Sequence, residues 1–297
     1  MDRCLAIDIG GTKLAVALVT RRGELVVRRQ VPTVVTTDPE ELFAALGDVV
    51  QGVLDDAAGG ATRAPLVCGI GCGGPMDLAL GTVSPLNIPA WRDFPLRTRA
   101  EKLTGLPVAL DNDAKAFALA EGWLGAARGR RDYIAMVVST GVGGGMVVDG
   151  RLLHGASGNA GHIGHVIVEP DGRPCACGAR GCLEAEASGT AIAAATGQPP
   201  AEASAAVVAR TGCLVGRAVA SVVSLLDLEL AVVGGSVALG FGPPFFDAAN
   251  TELSRRARLA YTAGATIVPS ALGTVGGLVG AAALGWTAAG YDLEVGP

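Results

Sequence analysis

The sequence has little basic charge. Its 297 residues contain 23 Lys and Arg against 28 Asp and Glu, which gives a formal net charge of −5 and a pI near 5.3. Proteins that bind nucleic acid through its phosphates cluster basic side chains on one surface, whereas here they are scattered. We therefore expect no nucleic-acid partner.

The N-terminus lacks the pattern of a secretory signal peptide. Met1 leads through Asp2 and Arg3 directly into CLAIDIG, with no charged region followed by a long apolar stretch and a cleavage site. We therefore expect a cytoplasmic protein. Its seven cysteines, an odd number, should then be thiols or metal ligands rather than disulfides.

Formal charge is also missing between Arg258 and Asp292, a stretch longer than a membrane span requires. Pro269 and several glycines interrupt this stretch, and it is poor in Leu, Ile and Phe. A buried strand, ATIVPS, followed by a Gly/Ala helix packed closely against a neighbour explains it better than a transmembrane helix. We expect no membrane association.

Apolar, strand-like runs alternate with Ala-rich helical segments, which is typical of an α/β protein. The length suffices for two domains. A strand, a glycine-rich turn and a second strand occur twice, in LAIDIGGTKLAVALV and in DYIAMVVSTGVGGGMVVDGRLL. This weak repeat predicts two related lobes with a small-molecule site in a cleft between them. We place the lobes at residues 1–113 and 114–297, with the last helix as a candidate to return to the first lobe.

Three glycine-rich turns are candidates for binding a nucleotide, although each alone could be a tight turn. In DIGGTK, glycine backbone amides can approach an anion, and Asp8 can bind Mg²⁺ directly or through water. It is neither a Walker loop nor a Rossmann fingerprint, because a strand follows it. STGVGGG could hold the outer phosphates, and the glycine pair in LAVVGGSVA could lie flat against adenine. The residues assigned to ATP are Asp8, Gly10, Gly11, Thr12, Lys13, Thr140, Gly141, Gly143, Gly234 and Gly235.

The DNDA motif, residues 111–114, ends a strand just before a helix. Phosphoryl transfer to an alcohol needs a carboxylate within hydrogen-bond reach of the hydroxyl, and a neighbouring Asn can orient the acceptor. The alternative is helix capping, for which Asn and Asp are favoured. The residues alone leave these two interpretations open.

Cys175, Cys177 and Cys182 lie close together, with His165 shortly before them. Three thiolates and one imidazole are a ligand set of closed, structural tetrahedral zinc sites. Glycines between the cysteines permit the tight turns of such a clip. We therefore expect a structural Zn²⁺ whose loop also carries substrate-binding side chains.

The motifs DIGGTK, DNDA, STGVGGG, GNAGHIGH, CACGARGCLE and VVGGSV resemble, in order and spacing, the ROK family of sugar kinases and sugar-responsive repressors. The resemblance covers nearly the whole chain and implies a two-lobed, actin-like α/β fold of the ribonuclease H type. It implies that Asp113 is the catalytic base, in preference to Asp111, and that the glycine turns bind ATP. The residues that it implies for sugar binding are Asn87, Asn112, His165 and Glu184, with His165 also ligating zinc.

His162 departs from this pattern, because most family members carry Glu in the corresponding G-E-x-G-H motif. Histidine here resembles the bacterial N-acetylmannosamine kinases, and an imidazole can donate a hydrogen bond to an acyl carbonyl. The loop LNIPAW around Asn87 instead resembles family glucokinases.

The expected function is therefore ATP-dependent phosphorylation of the 6-hydroxyl of a hexose or N-acylhexosamine, with N-acetylmannosamine favoured. A glucokinase or a kinase of another sugar-like alcohol is the alternative. A repressor would need an N-terminal helix-turn-helix domain, and DIGGTK already begins at residue 8. A non-catalytic sugar sensor is disfavoured by the presence of Asp8, Asp113 and the glycine turns. We also expect a homodimer or homotetramer.

Overall fold

The computed structural model describes residues 1–58, 63–291 and 293. Its strands are β1 Arg3–Ile9, β2 Lys13–Thr20, β3 Leu25–Pro32, β4 Val67–Cys72, β5 Met76–Asp77, β6 Thr82–Val83, β7 Val108–Asn112, β8 Tyr133–Val138, β9 Val142–Val148, β10 Arg151–Leu152, β11 Leu230–Gly234 and β12 Thr266–Pro269. Its α-helices are α1 Pro39–Ala58, α2 Leu96–Thr104, α3 Asp113–Leu124, α4 Leu183–Ala187, α5 Gly189–Thr196, α6 Ala205–Leu226, α7 Ser236–Phe241, α8 Pro243–Arg256 and α9 Gly276–Ala288.

The described chain forms two compact units. Unit 1 runs to Leu124 and also contains residues 154–160 and the chain from Val275 onward; unit 2 contains residues 125–153 and 161–274. The division therefore falls after α3 rather than after Asp113. The reason is that α3 packs against α9 and against β4 and β7 of the first sheet.

The two units repeat one strand arrangement. The sheet of unit 1 has the order β3-β2-β1-β4-β7, and that of unit 2 has the order β10-β9-β8-β11-β12. In each sheet the first three strands are antiparallel and the last two continue in parallel with the central strand. The weak sequence repeat thus corresponds to a full repeat of topology.

The uncharged C-terminal stretch forms the predicted strand, β12, and the predicted Gly/Ala helix, α9. Small residues let α9 lie against its neighbours, since a Cβ at Gly280 would collide with the carbonyl oxygen of Ala116 and one at Gly285 with the Cys4 thiol. Its uncharged composition is therefore explained by burial in unit 1.

Among the described residues, α6 alone has the length and composition of a membrane span. Of its most apolar window, 56% is buried inside the protein. Its Arg210 and Arg217 form ion pairs with Glu186 and Glu169. Its burial and these ion pairs are typical of a core helix, so α6 is assigned to the core of unit 2.

Candidate functional site

The carboxyl ends of three parallel strands lie side by side in unit 1. The register pairs Ile9 of β1 with Cys72 of β4, and Cys72 with Asn112 of β7. Because side chains at the ends of parallel strands share one edge of the sheet, Asp8 and Asp113 are brought to the same edge. The sequence predicted both residues, and unit 1 places them together.

Asp8 is buried beneath the DIGGTK turn. Its carboxylate lies 3.6 Å from Nζ of Lys13. Burial raises the pKa of Asp8, while the Lys13 ammonium opposes that shift. Gly277, at the start of α9, leaves the room that this carboxylate occupies, because a Cβ there would collide with the Asp8 oxygens.

The DIGGTK turn is a hairpin between β1 and β2. The amide of Gly10 donates to the carbonyl of Lys13 at 2.9 Å, and Thr33 Oγ1 donates to the carbonyl of Gly10 at 2.7 Å. Gly10 therefore shapes the turn, since its own amide is already used within it. Gly11 and the exposed Thr12 are the members of the turn that can face a ligand.

Asp113 is the first residue of α3 and is half-buried. Burial, followed by the nearby negative charge of Asp8, raises its pKa to about 6. Burial and then these same two carboxylates also raise the pKa of the Cys72 thiol. A carboxyl group with this pKa is ionised at neutral pH and is a stronger base than an ordinary aspartate.

Asn112 serves as a helix cap. Its Oδ1 accepts from the amides of Ala114, at 3.0 Å, and Lys115, at 3.4 Å. The capping interpretation of DNDA is thus correct for Asn112, and only its Nδ2 group is left to donate to a ligand.

Asp111 has a different environment from Asp113. It is 3% exposed and lies 2.7 Å from Nζ of Lys115, a fully buried ammonium. The same ammonium contacts His154 Nδ1 at 3.2 Å and donates to the Gly158 carbonyl at 3.0 Å. This cluster was not predicted from the sequence, although the i, i+4 spacing of Asp111 and Lys115 was a signal for their pairing.

Asn87 lies between two glycines of unit 1. A Cβ on Gly11 would come within 2.9 Å of its Nδ2, and one on Gly73 within 3.1 Å of its Oδ1. Beside it is an open cavity of about 500 Å³. The cavity is lined by Gly11, residues 33–37 and residues 87–89.

Unit 2 carries the second predicted phosphate turn and Glu184. The turn joins β8 to β9, and Glu184 Oε2 accepts from the amide of Val142 at 3.0 Å. Gly141 makes room for this carboxylate, because a Cβ there would lie 2.8 Å from Oε2. This hydrogen bond links Glu184, a predicted sugar-binding residue, to the predicted phosphate turn that contains Thr140, Gly141 and Gly143.

The third predicted glycine turn joins β11 to α7. Gly235 has φ +95°, and a Cβ there would collide with the backbone of Val138. Only glycine fits this conformation and close approach. Gly234 and Gly235 thus lie beside the end of β8, next to the turn that contains Thr140.

The four predicted zinc ligands come together in unit 2. Their ligand atoms all lie within 4.8 Å of one another. His165 Nδ1 is 3.7 Å from the Cys175 sulfur, and the sulfurs of Cys177 and Cys182 are also 3.7 Å apart. Tetrahedral zinc with Zn–S bonds of about 2.3 Å places neighbouring sulfurs about 3.8 Å apart, so this cluster fits the ion.

The clip is also fixed by a buried carboxylate. Glu186, which is 3% exposed, accepts from the amide of Arg173 at 2.6 Å and pairs with Arg210 at 2.7 Å. His162 lies just before the clip with its ring 6.2 Å from that of His165. Asn87 and Asn112 thus fall in unit 1, whereas His162, His165 and Glu184 fall in unit 2.

The family model of the ROK family matches residues 4–287. The chain belongs to the ROK family. The motifs that predicted this membership span both units, and the α/β actin-like fold of ROK sugar kinases is the fold found here.

Two relatives in the ROK family differ in their named activity. An N-acetylmannosamine kinase of Citrobacter koseri is 41% identical over 253 residues, which cover 80% of this chain and 84% of that protein. A glucokinase of Thermotoga maritima is 42% identical over 192 residues, and these cover 64% of this chain and 58% of the relative.

Among solved structures, a ROK family glucokinase from Streptomyces griseus in complex with glucose and AMPPNP is 30% identical. It superposes with a TM-score of 0.83 over 96% of this chain and 99% of that one. Similarity therefore extends over both units.

Proposed function

We propose that this chain is an ATP-dependent carbohydrate kinase that transfers the γ-phosphoryl group to the 6-hydroxyl of a hexose or N-acylhexosamine. The observation that carries the proposal is Asp113, a half-buried carboxyl group with a pKa raised to about 6. It lies at the same sheet edge as the DIGGTK turn in a fold shared with ROK sugar kinases. Named kinases about 40% identical to this chain support the reaction class.

The proposed chemistry uses the two acidic residues differently. Asp113 accepts the proton of the sugar hydroxyl as its oxygen forms a bond to the γ-phosphorus, and the bond from that phosphorus to the bridging oxygen breaks to release ADP. Asp8 would hold Mg²⁺, directly or through water, and the ion would neutralise charge on the phosphates. One carboxylate together with phosphate oxygens is a common ligand set for Mg²⁺.

The turns of both units would bind ATP, and Asn87, Asn112, His162, His165 and Glu184 would bind the sugar. Glu184 can take part in sugar binding because Oε2 accepts from the Val142 amide and Oε1 can accept from a sugar hydroxyl. The zinc clip would hold His165 and the loop before it by the geometry of its four ligands.

An N-acylhexosamine such as N-acetylmannosamine is the favoured acceptor. His162 can donate to an acyl carbonyl, and the cavity beside Asn87 leaves space next to a predicted sugar-binding residue. Glucose or another sugar-like alcohol is the second candidate, which the glucokinases of similar sequence and structure favour.

ADP release measured with glucose, mannose, N-acetylmannosamine, N-acetylglucosamine and a panel of cyclitols tests the proposal. Phosphorus NMR of the product identifies the phosphorylated hydroxyl. We expect turnover of at least one hexose or N-acylhexosamine at its 6-hydroxyl. Binding of ATP and sugar without ADP release would instead make the protein a sugar sensor.

We also propose a cytoplasmic protein that assembles as a homodimer or homotetramer, without nucleic acid or membrane partners. The use of ATP and seven cysteines that form no disulfide support the location. Exposed Leu225 and Tyr261, adjacent through the hydrogen bond from Tyr261 to the Ser224 carbonyl, offer an apolar surface for self-association. A monomeric mass in light scattering would exclude the assembly.

A further inference from the structure

Lys115 is buried without any role in the reaction derived above. Its side chain is 0% exposed, and its ammonium contacts Asp111, His154 and Gly158. Burying an ammonium is costly unless it is paired and hydrogen-bonded, so these partners account for its presence in the interior. His154 Nδ1 also lies 3.4 Å from Oδ2 of Asp111, so the three side chains form one cluster.

Asp111 and Lys115 flank Asp113 in the sequence. Asp111 lies in β7 two positions before Asp113, and Lys115 follows two positions after it within the first turn of α3. The Lys115–Asp111 contact of 2.7 Å therefore closes the turn that carries the proposed base. Asp111 also accepts from the Asn112 amide at 2.7 Å, which further fixes this backbone.

The other contacts of Lys115 reach a separate part of the chain, residues 154–160. This segment leaves unit 2 and is part of unit 1. Gly158, with φ +84°, presents its carbonyl to Lys115. Asn159 pairs with both backbone groups of Met76, accepting from its amide at 3.1 Å and donating to its carbonyl at 2.9 Å.

We propose that Lys115 is a positioning residue that fixes the turn bearing Asp113 to the segment 154–160. The same ammonium thus holds both the backbone on either side of the proposed base and a segment far from it in the chain. This inference rests on the proposed function. Its specific consequence is that acceptor use depends on Lys115 more than ATP binding does.

Replacement of Lys115 by Met tests the role, because Met keeps the length of the side chain and removes its donors. We expect kcat/KM for the sugar to fall at least about tenfold, with KM for ATP within about twofold of wild type, since misplacing reacting groups is costly. Hydrogen exchange of the amides in residues 154–160 should quicken. The Ala160 amide, which donates to the His154 carbonyl at 2.9 Å, is the most direct probe.

Leu46→Ala is the matched control. Leu46 is a fully buried residue of α1, and its truncation costs stability without touching the cluster. At a temperature where both variants are folded, Leu46→Ala should keep wild-type kcat/KM and Lys115→Met should not. Equal kinetics in the two variants would reduce Lys115 to a structural role and overturn the inference.

The double variant Asp111→Asn/Lys115→Met covers the case in which the single variant does not fold, because it removes the stranded carboxylate as well. It should fold and still show the loss in sugar kcat/KM. Wild-type kcat/KM in the folded double variant would overturn the inference, whereas a wild-type protein that phosphorylates no sugar would instead overturn the proposed function.

Discussion

The proposed division of labour between Asp111 and Asp113 depends on their neighbours. Asp111 lies in β7 and Asp113 directly follows that strand, but Asp111 is paired with Lys115, whereas Asp113 has no such cation among its described contacts and lies near the charge of Asp8. A base must reach the proton that it accepts, and the Asp111 carboxylate is 3% exposed and already contacts the Lys115 ammonium and the Asn112 amide. The environments therefore select Asp113.

Replacement of Asp113 by Asn should nearly abolish phosphoryl transfer while sugar binding survives. The amide keeps the shape of the side chain but accepts no proton, and loss of a general base commonly costs about 10² to 10⁴ in rate. In wild type, kcat/KM should decline below a pH of about 6 as the base becomes protonated. Steady-state rates and calorimetric sugar titrations check this, and near wild-type turnover in the variant would remove Asp113 from the mechanism.

His162 gives a prediction on acceptor choice. If it donates to an acyl carbonyl, His162→Glu should move the preference from N-acetylmannosamine toward glucose, because a carboxylate accepts from hydroxyls and repels a carbonyl oxygen. A contact of about 1 to 3 kcal/mol corresponds to a change of about 5- to 150-fold in the ratio of kcat/KM values.

His162→Gln is the control for this prediction, since its amide retains a donor and should retain the preference for the acylated sugar. A wild-type enzyme that does not use N-acetylmannosamine would contradict acyl recognition. The same ratio in all three proteins would assign His162 to another role.

Among the elements, the loop proposed to bind zinc is held by two independent sets of contacts. The four ligands gather the loop from one side, and Glu186 binds its Arg173 amide from the other. The amide of Ala179 is the main cause that lowers the pKa of the Cys177 thiol, which favours the thiolate that a metal requires.

We predict one zinc per chain. Cys177→Ala should lose the metal and about 2 kcal/mol or more of stability, a fall in Tm of roughly 4 to 8 °C, because metal binding is coupled to folding. Elemental analysis and thermal melts measure both. Cys213→Ala, a half-buried thiol outside the cluster, should keep the metal; a metal-free Cys177→Ala protein with the wild-type Tm would contradict the structural role.

Sequence patterns predicted the features that are formed by residues close together in the chain. Asp38 directly precedes α1, and its carboxylate accepts from the Glu40 amide at 2.9 Å, in line with the preference for Asp at helix N-termini. The Cys and His spacing predicted the clip because its ligands are close in sequence. The contacts of Lys115 with His154 and Gly158 and the fit of Gly277 against Asp8 were missed, because each joins residues far apart in the chain and only folding brings them together.

For the molecule as a whole, ionisation of the proposed base, Asp113, should lower the free energy of unfolding. The pKa of Asp113 is about 6 in the folded state and near 3.8 in the unfolded chain. The folded state therefore binds this proton more tightly, so the contribution of Asp113 to stability is most favourable below a pH of about 4 and is lost as the pH rises through 6. The full shift would correspond to about 3 kcal/mol, and partial exposure of the side chain reduces this to about 1 to 2 kcal/mol.

Asp113→Asn should therefore be more stable than wild type above pH 7 and should lose that advantage near pH 4, even though it is inactive. Denaturant unfolding of both proteins between pH 4 and pH 8 measures the difference. Asp247→Asn, which removes an exposed carboxylate on α8, should run parallel to wild type over this range. A stability difference that does not change with pH would mean that Asp113 is as easily ionised in the fold as in the unfolded chain, and the electrostatic argument for its basicity would fail.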